Sequence, residues 1–407
     1  MLCHRTFHSN AIRNKFFCSI LITFVVGLLA APTSAQHLHE LYYNNLQWID
    51  TDLTATTGGP LVQPQGIAAF YTTPNDQFHV YYASNVGEDY HIHQLYFNGS
   101  AWSDADLTAL TGGAVASNSS GMTGFSIGNA QYLYFCANDF SLHEYSYGDA
   151  GNFNWVDRNL SALTKSKFSG ECGFAPVGLV AFATSDNQRH IYFEAPSNGD
   201  TRTIHHVFFN GAKWSNQNLT SMSKGAKALG ATWMSGFAVG TKQYVFFEGS
   251  NGHIHEYSFV TSWKDQDLTT ASGGVAANTF EGNGALAFLI PGTTKMEVYY
   301  AASSINGQDL HRMAFRNSKW TDSNLTSITG GAGPYSLTEM TGFATTPNKQ
   351  LHVYISGIGT SNVDQFFFNN TAWAYEILPS VPVASIAPGM AGFALGNLQH
   401  VYYVSAH

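Results

Sequence analysis

The 407-residue chain is short of charge, cysteine and proline: only 11% of its residues are Asp, Glu, Lys or Arg, and it has 4 cysteines and 12 prolines. Its 18 basic residues are outnumbered by 27 acidic ones, for a formal net charge of −9. Such a chain is a poor ligand for phosphate backbones or anionic lipid, which argues against nucleic-acid partners and membrane-surface binding. Long apolar runs are scarce too. One spans Phe16 to Ala30, preceded by Arg5, Arg13 and Lys15 and followed by Thr33, Ser34 and Ala35. It falls short of the roughly 20 residues a membrane span needs. Residues 1–35 therefore read as a secretory signal peptide, with an uncleaved anchor as the alternative, and the mature chain is expected to be extracellular and not inserted in a membrane. Cleavage before Gln36 would remove three basic residues and no acidic ones, moving the net charge to −12.

Cys3 and Cys18 leave with the signal, and Cys136 and Cys172 remain. In an oxidising compartment this isolated pair reads as a disulfide, with two buried free thiols as the alternative, since sequence does not fix their separation. Export also makes the sequons at Asn98, Asn118, Asn159, Asn218, Asn324 and Asn369 readable as glycan acceptors. Asn159, Asn218 and Asn324 occupy a slot that is held elsewhere by Asp52, Asp106 and Asp267, so a turn role fits them better. Asn98, Asn118 and Asn369 remain the candidate glycosylation sites.

What the chain does have is a repeat. His37-Leu38-His39-Glu40-Leu41-Tyr42-Tyr43 is followed by Trp48, then Asp52-Leu53-Thr54, then Gly58-Gly59. The order returns with Trp102, Trp155, Trp214, Trp263, Trp320 and Trp373, so seven of the 8 tryptophans hold one equivalent position. A period of roughly 50 residues carrying several short strands is the pattern of a propeller blade. In the second unit the strands read Gly66 to Tyr71, Phe78 to Ala83, His91 to Phe97 and Ala101 to Leu107, divided by Pro, Asn, Asp and Gly turns. No amphipathic helical period is present.

The first unit has only the second half of the pattern. The missing half stands at the other end, as Ala391-Gly392-Phe393-Ala394 and Gln399-His400-Val401-Tyr402-Tyr403. The prediction is an all-β, seven-bladed β-propeller over residues 36–407, with four-stranded antiparallel blades and one blade shared by the N- and C-termini. Sharing a blade leaves the ring without a seam.

Beside the tryptophans run an aromatic series, Tyr43, Phe97, Tyr147, Phe209, Phe259, Phe315 and Phe368, and a polar series, Glu40, Gln94, Glu144, His206, Glu256, Arg312 and Gln365. Aromatic faces pack on the C–H surface of a sugar ring while carboxylates and amides take up its hydroxyls, so the pairing suits a carbohydrate pocket. The same aromatics also suit inter-blade core. A recurrent histidine, at His39, His93, His143, His205, His255 and His311, lies on separate blades, too far apart to share an ion at bond lengths near roughly 2 Å. Buried histidines bonded to a neighbouring strand are expected instead, and neither metal nor other cofactor.

The order of a Val-Tyr-Tyr strand, an Ile-His-Glu-Tyr strand and then a tryptophan resembles the repeat of the fungal fucose-specific lectin family, over essentially all of residues 37–407. The resemblance implies non-enzymatic glycan or glycoprotein binding in several pockets between blades. One repeat would give an arginine from its second strand and a glutamate from its third, and the neighbouring repeat would give aromatic residues. The glutamate position is matched at Glu40, Glu144 and Glu256, and conservatively at Gln94 and Gln365. The arginine position is held by His79, Tyr132, His190, Tyr244, Glu297, His352 and His400. None of these reproduces the guanidinium fork, so the resemblance carries neutral glycans, fucosylated ones among them, without fucose specificity. The pockets matched best are His400 with Glu40 and Trp102, Tyr132 with Glu144 and Trp214, and Tyr244 with Glu256 and Trp320, followed by His79 with Gln94 and Trp155. Arg312 beside Glu297 and Trp373 inverts the charges and reads as a structural ion pair.

Two other classes stand beside the lectin. A scaffold propeller would use the same fold without sugar. A glycosidase would need paired carboxylates or a tyrosine among arginines, and no sialidase-type box, Gly-x-Ser-x-Gly elbow or His-Glu-x-x-His pair occurs.

Overall fold

The computed structural model describes residues 36–406, except 64–65, 88, 118–120, 166–177, 197–200, 231–232, 278–283, 306, 335–339, 358–359, 361 and 384–388. The signal segment, Asn118 and Cys172 thus lie outside the described residues. The strands form seven antiparallel sheets. Blade 1 consists of Ala68–Tyr71, Phe78–Val86, Asp89–Phe97 and Trp102–Asp106. Blades 2 to 6 repeat it over residues 122–159, 179–218, 235–267, 286–324 and 340–377. In blade 3 a short fifth strand, Ala228–Leu229, pairs with the start of Thr201–Phe209. Blade 7 is the shared one: Ala391–Leu395 and Leu398–Ala406 come from the C-terminal end, Gln36–Tyr43 and Trp48–Asp52 from the N-terminal end. Leu398–Ala406 and Gln36–Tyr43 are in register from Gln36 opposite Ala406 to Tyr43 opposite Gln399.

The first strand of each blade packs against the first strand of the next, and that of blade 7 against that of blade 1, which closes the ring. A recurrent small residue before phenylalanine sets this inner packing. A Cβ on Gly124 would lie 2.8 Å from the Phe70 ring, one on Gly236 3.0 Å from Phe182, and one on Gly342 3.0 Å from Phe288. Between the blades run continuous clusters of buried Val, Ile, Leu, Phe and Tyr.

The Asp-Leu-Thr element is where sequence and structure differ in detail. Leu107 leaves the predicted strand and opens a one-turn helix, Leu107–Thr111. Equivalent helices follow the fourth strands of blades 2 to 5 and 7. They are too short to show a helical period. Asp52, Asp106, Asn159, Asn218, Asp267 and Asn324 are their N-caps, each accepting a hydrogen bond from a backbone N–H three residues on. The leucine that follows is fully buried at every one of these sites. The threonine hydroxyl then accepts from the third strand: Thr54 from the Leu38 N–H, Thr108 from Ile92, Thr220 from Ile204, at 2.9 Å each. Blade 6 does the same without a helix, since Ser380 Oγ accepts from the Val363 N–H at 2.9 Å. The first glycine of each pair is a left-handed cap, with φ of 66° at Gly58 and 58° at Gly112, a conformation that glycine adopts without strain.

The recurrent histidines are buried and tie the third strand to the fourth. His39, His93, His143, His255 and His311 lie 2.7–3.1 Å from Asp50, Asp104, Asp157, Asp265 and Asp322. Of the sequons, Asn98 and Asn369 sit on exposed turns, while Asn159, Asn218 and Asn324 are engaged as caps.

Candidate functional site

Each blade boundary juxtaposes the second and third strands of one blade with the second, third and fourth strands of the next. Strand alternation brings the sequence-matched residues of one blade onto the face that meets its neighbour. Between blades 7 and 1 this produces a cavity of about 390 Å³ lined by Glu40, Tyr42, Phe78, Phe97, Trp102, Leu398 and His400. His400 Nδ1 donates to Glu40 Oε1 at 2.8 Å, and the Tyr402 hydroxyl donates to the same oxygen at 3.0 Å. The His400 ring stacks on Tyr42 and packs against Phe78, with centroids 4.8 and 4.4 Å apart. Trp102 stands edge-on to Tyr402 and tilted against Phe97, leaving it part-exposed. The three residues matched at this boundary therefore meet, in a box whose remaining walls are apolar.

The other boundaries keep the frame and change the filling. Between blades 1 and 2, Gln94 Nε2 lies 3.0 Å from His79 Nδ1 and 2.7 Å from Gln131 Oε1, which also accepts from the Tyr81 hydroxyl. Trp155 stands edge-on to Tyr81. Between blades 3 and 4, His190 and His206 share a 2.9 Å hydrogen bond, while Gln243 accepts from Tyr192. Between blades 6 and 7, Gln365 bridges His352 and the Tyr354 hydroxyl, and Gln399 accepts from that hydroxyl. Three boundaries are thus knitted by neutral donors and acceptors.

Between blades 2 and 3, Glu144 is fully buried and ion-paired with Arg158 at 2.8 Å and Arg189 at 3.3 Å. The Arg189 guanidinium lies 4.5 Å from the ring centres of Tyr132 and Phe209 and 5.0 Å from that of Trp214. Tyr132, Glu144 and Trp214 are brought together, with a cation from this same chain among them. Between blades 5 and 6, Arg312 makes the expected ion pair, its Nε and Nη2 reaching the two oxygens of buried Glu297 at 2.7 and 3.0 Å, and Arg316 joins it. The Arg312 guanidinium lies 5.3 Å from the Trp373 ring centre. Between blades 4 and 5, Trp320 is only 3% exposed and packs on Phe246 and Phe315. Among the described residues Glu256 Oε2 has no hydrogen-bond partner, and burial pushes the carboxyl up to about 7.

Arg189 escaped the sequence reading because it precedes the arginine slot by one residue, which turns it onto the opposite face, towards blade 2. The signal was available: Gln131, Arg189, Gln243 and Gln399 form a polar series at that register, where blade 1 has Phe78.

Buried imidazoles give the stability of the ring a pH dependence. Burial pushes His79, His190 and His352 down to about 4, from 6.5. Between these values the unfolded chain binds protons that the folded chain refuses. The contribution is whole above pH 6.5 and is lost as pH falls towards 4. Glu256 acts in the opposite sense, losing stability as pH rises from 4.5 to about 7. The variant His352→Gln is therefore expected to lose about 2 kcal/mol less than wild type when urea unfolding is compared at pH 7 and pH 5. Equal losses would remove His352 from the account.

No protein-family model matches the chain, and no curated protein matches it. Solved structures do. A mutant of AofleA from Arthrobotrys oligospora is 16% identical, with a TM-score of 0.51 over 91% of this chain and 93% of that one. A mutant of Aleuria aurantia lectin in complex with alpha-methyl-L-fucoside is 17% identical, with a TM-score of 0.50 over 77% of this chain and 94% of that one. At this identity the likeness is one of propeller fold alone; the Aleuria aurantia lectin is a six-bladed propeller, whereas this chain has seven blades.

Proposed function

We propose that the protein is a carbohydrate-binding lectin whose principal pocket is the cavity between blades 7 and 1. The observation that supports this most is the coincidence of a 390 Å³ cavity, within the usual range for small ligands, with the Glu40, Trp102 and His400 set matched from sequence. Tyr42, Phe97 and Trp102 offer faces for a sugar ring, and Glu40 offers an acceptor for its hydroxyls. His400 Nδ1 is committed to Glu40 and its Nε2 is buried, so the imidazole orients the carboxylate rather than reaching a ligand. Fucosylated glycans are the first ligands to test, given the complex recorded for the Aleuria aurantia lectin. At the boundaries between blades 2 and 3 and between blades 5 and 6, arginines lie across the tryptophans, which favours one principal site over several equal ones.

A glycan array tests this reading. Defined sugar hits are expected with wild type, and Trp102→Ala is expected to lose them through the lost stacking face. An array silent for wild type would favour a scaffold, and cleaved products would favour a glycosidase.

We also propose that residues 1–35 are a secretory signal and that Cys136, fully buried at the end of its strand, is bridged to Cys172. Intact-mass analysis of the secreted chain checks both. An N-terminus near Gln36 and no alkylation before reduction are expected, and two thiols alkylated without reductant would remove the bridge.

A further inference from the structure

We propose that the cavity between blades 7 and 1 recognises a sugar bearing a protonated amine, with Glu40 as its counter-charge. The inference rests on the lectin reading and departs from the neutral ligands suggested by the sequence. It begins with a difference between carboxylates at the blade boundaries. Glu144, at the position equivalent to Glu40, and Glu297, at the position equivalent to His400, are each paired with two arginines of this chain. Glu40 has none: among the described residues its ion-pair partner is the His400 ring, whose Nε2 is buried without a hydrogen-bond partner. Both donors to Glu40, His400 and Tyr402, converge on Oε1. Oε2 belongs to a residue that lines the cavity, and among the described residues the donors to this carboxylate reach Oε1 and not Oε2.

The chain itself indicates what complements such a box. Between blades 2 and 3 an organic cation lies within 5.0 Å of the tryptophan and phenylalanine equivalent to Trp102 and Phe97, against the carboxylate equivalent to Glu40. Between blades 5 and 6 a second guanidinium lies 5.3 Å from the equivalent tryptophan, against Glu297. At both boundaries a cation lies between a tryptophan and a carboxylate, with the carboxylate at the position of Glu40 in the first and at that of His400 in the second. Blade 1 substitutes Phe78 for the inserted arginine, so the walls and the carboxylate remain and the cation is missing. A hexosamine with a free amine supplies both requirements: C–H faces for Trp102 and Phe97, and an ammonium for Glu40. Its N-acetylated form supplies only the first. The titratable side chains at the site are Glu40, His400, Tyr402 and Tyr42.

Calorimetric titration of the mature protein with a β-1,4-linked glucosamine tetramer and with its fully N-acetylated counterpart, at a pH where the amine is charged, tests the proposal. The free amine is expected to bind about tenfold tighter, in line with one charge-assisted contact in a partly desolvated box. The preference should shrink in high salt, and Glu40→Gln, verified as folded by circular dichroism, should bring the ratio close to one. Equal affinities in wild type, or a preference that survives Glu40→Gln, would overturn the amine while leaving the lectin reading standing. Binding to no sugar of any kind would remove the lectin reading itself. Glu40-dependent binding of methylguanidinium without any sugar would overturn the proposal in favour of a cationic peptide.

Discussion

Removal of residues 391–407 is expected to abolish cooperative folding altogether. The deletion takes the two inner strands from blade 7 and leaves Gln36–Tyr43 without the partner it meets along its whole length. It also removes Phe393, Val401, Tyr402, Tyr403 and Val404, all nine-tenths buried or more. At about 1.5–3 kcal/mol for each large buried side chain, the loss approaches or exceeds the roughly 5–15 kcal/mol that stabilises a typical native protein. The edge of Gln36–Tyr43 is opened at the same time, so the remaining chain should aggregate rather than persist as an open ring. Differential scanning calorimetry checks this. A cooperative transition within a few degrees of wild type would mean that the ring does not depend on its closure.

The second large effect is expected at Glu144. This carboxylate is fully buried, Arg189 is 4% exposed by its side chain, and the pair lies within the wall between blades 2 and 3. Glu144→Gln keeps the shape and leaves the guanidinium with Asp149 alone, at 3.4 Å. Breaking a buried pair from one side typically costs about 3–5 kcal/mol, because the remaining charge is desolvated without compensation. Urea unfolding of the variant should show a loss near the lower end of that range, since Asp149 persists. Adding Arg189→Gln should restore much of it, as the more buried of the two guanidinium partners is then gone and Arg158 keeps Asp149 at 3.0 Å. Losses that simply add in the double variant would show that the two side chains do not act as a pair.

Much of this architecture was legible because the repeat reports on backbone needs. The complementary half-units at His37 to Tyr43 and Gln399 to Tyr403 predicted the shared blade, and these segments pair in it. Histidine recurring beside the polar series predicted a buried bond to a neighbouring strand, and aspartate on the fourth strand supplies it. The short helices were not legible, since one turn has no period; only the capping Asp-Leu-Thr marks them. The site was legible as a set of equivalent positions, Glu40, Trp102 and His400 among them. What fills each boundary was not. That depends on residues facing backwards from the next blade, such as Arg189, Gln131 and Phe78, and on side-chain length across an interface that a strand pattern does not measure. Thus one template, a carboxylate or amide beside a tryptophan, becomes a cavity at one boundary and a packed ion pair at another.

The claim that blades 7 and 1 form the principal glycan pocket is tested most directly by calorimetric titration of the mature protein with an array-positive glycan, with Trp102→Ala titrated in parallel. The account predicts a stoichiometry near one site per chain in wild type and no measurable binding in Trp102→Ala. Several equivalent sites per chain, or an unchanged isotherm in the variant, would contradict it.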